Sequence, residues 1–233
     1  IVVAVRRYGE DKTIASLLTA DWGRHPGLVR GGGLLQPGTA VAARWRGRDA
    51  TSLGSLRCEV TAALAPVVLA ERPRLEALAA ACIVVETALP EREPYPGVFA
   101  ALEALLAILS DPWSGADERG CAFVRWETGL LRDLGYGLDL GCCAVTGART
   151  DLRFVSPRTG RAVSSAAAQP YLARLLPLPA FLVEADAPLA AGDIGRGLRL
   201  TGHFLDRSVY AARNRPLPAA RLRLARQFED ALG

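Results

Sequence analysis

Residues 39–46 read Thr39-Ala40-Val41-Ala42-Ala43-Arg44-Trp45-Arg46. Val41, Ala43 and Trp45 fall on one side of an extended chain, and Ala42, Arg44 and Arg46 on the other. This period of two marks a strand with one buried and one wet face. Leu56 to Val60 repeats the alternation, with Arg57 and Glu59 outward. Working outward, Ile1 to Val5, Thr13 to Leu18 and Leu28 to Arg30 are further short apolar or β-branched runs. Asp21-Trp22-Gly23, Gln36-Pro37-Gly38 and Gly47-Arg48-Asp49 separate them with turn chemistry. Five short strands in about 65 residues predict a small closed barrel of the OB-fold type.

From Pro73 the period lengthens. Leu75, Leu78, Ala79, Cys82 and Ile83 follow helical spacing, and so do Val98, Phe99, Leu102, Leu105, Leu106 and Leu109 after the break from Pro90 to Pro96. Asp117 is placed to cap a third helix, with Phe123, Trp126, Leu130, Leu131 and Leu134 inward and Gly135 just past its end. Residues 137–164 read as irregular. A short helix is expected over Ala166 to Leu175, and two more over Gly197 to Ala211 and Pro218 to Leu232. The last carries an arginine row, Arg221, Arg223 and Arg226. The reading is α+β: a strand domain over 1–68 and a helical domain over 69–233, the change bracketed by Pro66 and Pro73.

The chain has 233 residues, 50% of them hydrophobic and 22% charged, which suits folded cores rather than disorder. No apolar run reaches the ~20 residues of a membrane span, so the expected compartment is the cytoplasm. The five cysteines, 58, 82, 121, 142 and 143, are odd in number, and three lie in apolar stretches, which predicts reduced thiols. No phosphate-binding loop, nucleophile elbow or zinc-protease motif occurs, and the two histidines, His25 and His203, are far apart. No catalytic residue and no cofactor is predicted.

The arginines say more. The first 60 residues hold nine basic side chains (Arg6, Arg7, Lys12, Arg24, Arg30, Arg44, Arg46, Arg48 and Arg57) against five acidic ones (Glu10, Asp11, Asp21, Asp49 and Glu59). On a small barrel they form a positive face able to follow a phosphate backbone. Arg6, Arg7, Lys12, Arg24, Arg30, Arg44, Arg46 and Arg48 are the candidate DNA-binding residues. Tyr8 and Trp22 are the only aromatic rings outside the expected core of this region, which favours backbone contact over base reading. The competing reading is a solvated strand face on an interaction scaffold with no direct DNA role. Cys142-Cys143 invites a metal reading, but adjacent cysteines do not readily form one zinc knuckle, and no second pair follows.

Arg125-Trp126-Glu127-Thr128-Gly129-Leu130-Leu131, followed by Leu134-Gly135-Tyr136-Gly137, resembles the helix of the RecO family that ends in Leu-Gly-Tyr/Phe-Gly. Leu138 to Gly147 (LDLGCCAVTG) stands where many RecO proteins carry a zinc knuckle, and Phe154-Val155-Ser156-Pro157 with Gly160 resembles the stretch before the second knuckle. Thr19-Ala20-Asp21-Trp22-Gly23-Arg24 and Leu35-Gln36-Pro37-Gly38 extend the resemblance toward the start. It implies an N-terminal OB-fold, a helical domain and a zinc-finger-like insertion at 137–167. It also implies binding of single- and double-stranded DNA, annealing of complementary strands, and recombinase loading with RecR and the single-stranded-DNA-binding protein. No catalytic residues come with it.

Cys143 corresponds to the first cysteine of the first knuckle, but Thr146, Ser164 and Ala167 occupy the other three ligand positions, so a metal-free finger is expected. Arg125 corresponds to a basic family position linked to the acidic C-terminal tail of the single-stranded-DNA-binding protein, with Trp126 or Leu131 expected to help hold the tail's aromatic end. Family members usually carry a basic loop before the Gln-Pro. Here only Gly31-Gly32-Gly33-Leu34 intervenes.

Overall fold

The computed structural model describes residues 1–31, 35–49, 51–184 and 186–230, with the backbone alone at 229 and 230. The Gly32–Leu34 part of the loop discussed above lies outside the described residues. The chain forms two compact units, Ile1–Trp113 and Ser114–Gly233. The strand-to-helix change read near residues 66–73 falls inside the first of them.

The first unit is built on β1 (Val2–Tyr8), β2 (Lys12–Thr19), β3 (Gly23–Arg30), β4 (Ala40–Arg46) and β5 (Ser55–Ala62), in the order β1-β2-β3-β5-β4. Neighbours are antiparallel except β3 and β5, which run parallel through Leu28 and Ser55. Val2, Ala15, Leu17, Val29, Leu35 and Leu56 are buried together, and Val5, Val41, Trp45 and Cys58 pack against them. Thus β4 turns Val41 and Trp45 inward, as its alternation requires.

The architecture is OB-like, but the expected closed barrel is corrected to an open one: β1 and β4 share no ladder. They meet at one end, where Val2 N–H donates to Thr39 O (2.9 Å) and Gly38 N–H donates to Val2 O (2.8 Å). The pairing registers then shift, at Val3 on β1 against β2 and at Thr61 on β5 against the Ala40–Val41 step of β4. Such bulges bend a strand and interrupt its pairing, which accounts for closure only at the contact before them. Gly23 is required in its turn: its φ is +64°, and a Cβ there would lie 1.9 Å from Glu93 O.

A short α1 (Pro66–Ala70) leads into α2 (Arg72–Ala88) and α3 (Pro96–Ser110). Arg74 is the unexpected member of α2. It is 2% exposed and donates to Glu71 (2.7 Å), Leu109 O (2.9 Å), Asp111 O (2.7 Å) and Pro112 O (3.3 Å). The last carbonyls of a helix have no partners within it and carry its negative pole, so a buried guanidinium satisfies them and ties α2 to α3.

In the second unit α4 (Ala116–Asp133) begins at Gly115 rather than at an Asp117 cap. Asp117 and Glu118 sit in its first turn, where they complement the positive pole. Residues 137–164 are less irregular than expected. They contain β6 (Leu152–Val155) and β7 (Ala162–Ser164), and β8 (Leu176–Pro177) completes a sheet in the order β7-β6-β8. The helix expected over 166–175 is only α5 (Ser165–Ala168), followed by a 3₁₀ segment, Gln169–Arg174, where Pro170 cannot supply an amide hydrogen. α6 (Asp193–Phe204) runs into a π-helical stretch, Leu205–Tyr210, and α7 (Ala219–Asp230) ends the described chain. No described helix is long and apolar enough to cross a membrane.

These helices are fastened by a buried ion pair. Arg221 on α7 and Glu127 on α4 are 1% and 0% exposed. Arg221 Nε donates to Glu127 Oε1 (2.5 Å), and its Nη2 donates to Glu127 Oε2 (2.8 Å) and Leu198 O (2.6 Å). Thr201 on α6 donates its hydroxyl to Glu127 Oε2 (2.5 Å). The first arginine of the C-terminal row is therefore a structural clamp. Arg221→Ala leaves a buried carboxylate without its cation and should destabilise the fold by about 3–5 kcal/mol in a denaturant titration. Replacing both partners, Glu127→Leu with Arg221→Met, should recover most of that loss, because the pair's desolvation cost disappears with its attraction.

Candidate functional site

The strand registers sort the basic residues. In the β1–β2–β3 ladder Tyr8 stands opposite Lys12, and Lys12 opposite Arg30. Directly opposed residues share a face, so these three form a row across three strands. Arg6 lies two residues before Tyr8 on the same face. Val29 belongs to the core, which makes the Arg30 side the outer one. On the other ladder Arg44 stands opposite Arg57, Ala42 opposite Glu59 and Arg46 opposite Ser55. Arg57 and Arg30 each lie two positions past the Ser55–Leu28 pair that joins the two halves of the sheet. Lys12 and Arg30 thus face one another across β2 and β3, and Arg57 and Arg44 across β5 and β4, on strands about 4.8 Å apart within each ladder; between β3 and β5 the described pairing is at Leu28 and Ser55.

Arg6, Arg7, Lys12, Arg30, Arg44, Arg46 and Arg57 are all exposed. None of them forms an ion pair with a carboxylate among the described residues. Arg7 pairs with Thr13, opposite Val29, and so belongs to the inner face at its open rim. Arg48 projects from the β4–β5 turn with its side chain 93% exposed, 3.7 Å from Asp49. Asp49 is itself held below the usual carboxylate range, chiefly by the Thr51 hydroxyl and then by the Thr51 and Ser52 amides.

Arg24 does not join this set. Its side chain is 11% exposed and bonded to Glu86 (3.2 Å), Glu91 (3.4 Å) and Leu89 O (3.1 Å). Composition marked it as basic, but only the fold shows that α2 brings a carboxylate to it. Arg57 is the converse. Its outward direction was legible from the alternation, but its position opposite Arg44 needed the register.

Beneath β4 sits an uncommon histidine. His25 meets Trp45 edge-on, 5.1 Å between ring centres, and the Arg92 guanidinium lies 6.0 Å from the same indole. Both ring nitrogens of His25 are buried without partners among the described residues. Burial, and then the charge of Arg92, lower its pKa against a smaller opposing effect of Glu91. A base whose folded pKa is depressed contributes stability above its unfolded pKa and loses it as the pH falls. The midpoint of denaturation should therefore drop as the pH goes below about 6.5. His25→Phe, which keeps the ring contact, should flatten that acid limb in thermal melts; an unchanged slope would exclude His25 as its source.

In the second unit, Arg125, Thr128, Gly129 and Arg132 follow the one-face spacing of α4. With Leu138, Phe181, Leu182 and Val183 they line a cavity of about 510 Å³. Arg125 donates to Phe181 O (3.2 Å) and stacks 5.6 Å from that ring. Arg132 is 74% exposed beside Asp133. The arrangement is an apolar floor with a guanidinium at two of its edges. Trp126 and Leu131 are placed elsewhere: they are 4% and 0% exposed and face the core, Trp126 packing against Phe123 at 5.2 Å. Arg132, Phe181 and Val183 were not singled out in the sequence; the last two come from a short 3₁₀ turn, Ala180–Leu182, and the residue after it, far along the chain from α4.

In the segment over residues 137–167 the buried cysteine is held by hydrogen bonds. Cys143 is buried, and its sulfur accepts the Ser164 amide (3.3 Å) and hydroxyl (3.4 Å). Burial works to raise the thiol's pKa, but hydrogen bonds from Ser164 and Thr146 outweigh it and bring it down to about 6. Ser164 and Thr146, which the resemblance sets at zinc-ligand positions, thus serve this sulfur as donors. Among the described residues no group of three or more His, Cys, Asp or Glu could hold a metal ion. One thiolate with two hydroxyls does not fit a structural zinc site.

The chain is similar to known proteins along most of its length. A family model described as recombination protein O N terminal matches residues 1–63, and one described as recombination protein O C terminal matches residues 70–218. A DNA repair protein RecO of Rhodospirillum rubrum is 50% identical over 98% of this chain and 94% of its own length. The DNA repair protein RecO of Phenylobacterium zucineum is 48% identical over 99% and 96%, respectively. That of Caulobacter vibrioides strain NA1000 is 44% identical over 99% and 96%.

Proposed function

The chain belongs to the RecO family of DNA repair proteins, and on that premise we propose that it is a recombination mediator without a catalytic step. It binds single- and double-stranded DNA through the outer row of its sheet and anneals complementary strands. With RecR, it helps load recombinase on DNA coated by the single-stranded-DNA-binding protein. It acts in the cytoplasm, at the nucleoid. The observation that carries this reading is the two pairs of opposed cations, Lys12–Arg30 and Arg57–Arg44, on the outer face, with Arg6 and Arg46 on the same face, Arg7 on the inner face and Arg48 in the β4–β5 turn. Exposed cations, all but Arg48 without a carboxylate partner among the described residues, suit a polyanion. Its phosphates would exchange their counterions for guanidinium groups, and two strands held in one positive field would meet more often. Arg24 supports the row from behind by fixing α2 against β3.

The cavity beside α4 suits a different ligand. A short acidic tail ending in an aromatic residue would place its carboxylates against Arg125 and Arg132 and its ring on Leu138, Leu182 and Val183. Trp126 and Leu131 would act by packing the helix that presents these arginines. This chemistry matches the C-terminal tail of the single-stranded-DNA-binding protein.

Labelled single-stranded DNA, titrated by fluorescence polarisation at two salt concentrations, should bind at low salt and weaken steeply at high salt. No binding at low salt would sink the mediator reading and favour a scaffold. Arg125→Ala should weaken an acidic tail peptide by about tenfold or more while leaving direct DNA binding largely intact. Equal loss of both would count against a separate tail site.

A further inference from the structure

We propose that Arg44 and Arg57 work as one clamp, two guanidinium groups on a single phosphate of single-stranded DNA, and that this clamp is where the strand is fixed on the β4–β5 half of the sheet. The inference rests on the nucleic-acid reading above and deepens it. The two residues are directly opposed in the β4–β5 ladder, which sets their Cβ atoms about 5 Å apart. Like charges in that position repel and weaken a sheet. Neither arginine has an ion-pair partner among the described residues, and the nearby carboxylate, Glu59, stands opposite Ala42 and pairs with neither. The fold therefore keeps a repulsion that an anion would relieve.

The space for that anion is present. A groove of about 410 Å³ is lined by Ala42, Ala43, Arg44, Arg57 and Glu59. The small side chain of Ala42, on the same face as Arg44, leaves it open, and the two long side chains can converge over it. Its lining contains no aromatic ring, so it offers a base nothing to stack on, whereas two planar forks match phosphate oxygens. An isolated solvated arginine on a strand would need neither the opposed partner nor the groove.

Full-length protein, labelled oligothymidylate and a series of salt concentrations test this. Arg44→Ala and Arg57→Ala should each weaken binding several-fold with little change in the slope of log K against log salt, because one guanidinium still holds the phosphate. The double variant should lower that slope by about 0.7, the value of one phosphate on a single strand. Arg57→Lys should keep the slope but lose affinity, since it keeps the charge and loses the fork. Without DNA, Arg57→Ala should melt at a higher temperature than the parent, as the repulsion is gone.

A slope that falls by about 0.7 in each single variant would overturn the clamp, because the arginines would then hold separate phosphates. Unchanged affinity in Arg57→Ala, or a lower melting temperature without DNA, would overturn it as well. Each of these leaves the nucleic-acid reading standing. Failure of the parent protein to bind at low salt would instead sink that reading, and the clamp with it.

Discussion

The register of the first sheet is the constraint on which the proposed interface depends. Tyr8 opposite Lys12, Lys12 opposite Arg30, and Arg44 opposite Arg57 are consequences of where the hairpins turn and of which side chains must be buried. A slip of one residue would exchange the faces of a strand, sending Val29 or Leu56 into water and Arg30 or Arg57 into the core. The hydrophobic core and the basic row are therefore specified together. The cations lie where they do because Val2, Leu17, Val29 and Leu56 take the inside.

The same side-chain type serves opposite ends elsewhere in the chain. Arg74 and Arg221 are nearly inaccessible, and each gathers several acceptors: helix-end carbonyls in one case, a buried carboxylate and a helical carbonyl in the other. Removing such a group leaves its partners unsatisfied in a medium of low dielectric. Arg30, Arg44 and Arg57 have no such partners among the described residues and remain in solvent. An arginine count cannot separate these classes, since a buried clamp and an exposed contact have the same formula. The finger-like segment shows a related economy. There the buried Cys143 is held by hydrogen bonds from Ser164 and Thr146.

Much of the architecture was legible in the order of the residues. Alternation over 39–46 and 56–60, the turn residues between apolar runs and the helical spacing after Pro73 each state a local preference, and each is realised nearby in the chain. The opposition of Arg44 and Arg57, the withdrawal of Arg24 to Glu86, and the burial of Trp126 and Leu131 behind Arg125 were not legible. Each depends on segments far apart in sequence. The open barrel belongs to this second group, because bulges at Val3 on β1 and Thr61 on β5 leave no mark on the period of two at the strand ends.

By itself, then, the sequence determined the α+β class and the outward direction of Arg44, Arg46 and Arg57, since backbone propensity and side-chain period are local properties. Tertiary structure decided which arginines stay free of carboxylates, which of them face one another, and which walls enclose the cavity at Arg125. Those outcomes are set by pairing register and helix packing, which bring together residues such as Arg125 and Phe181 that no local pattern connects.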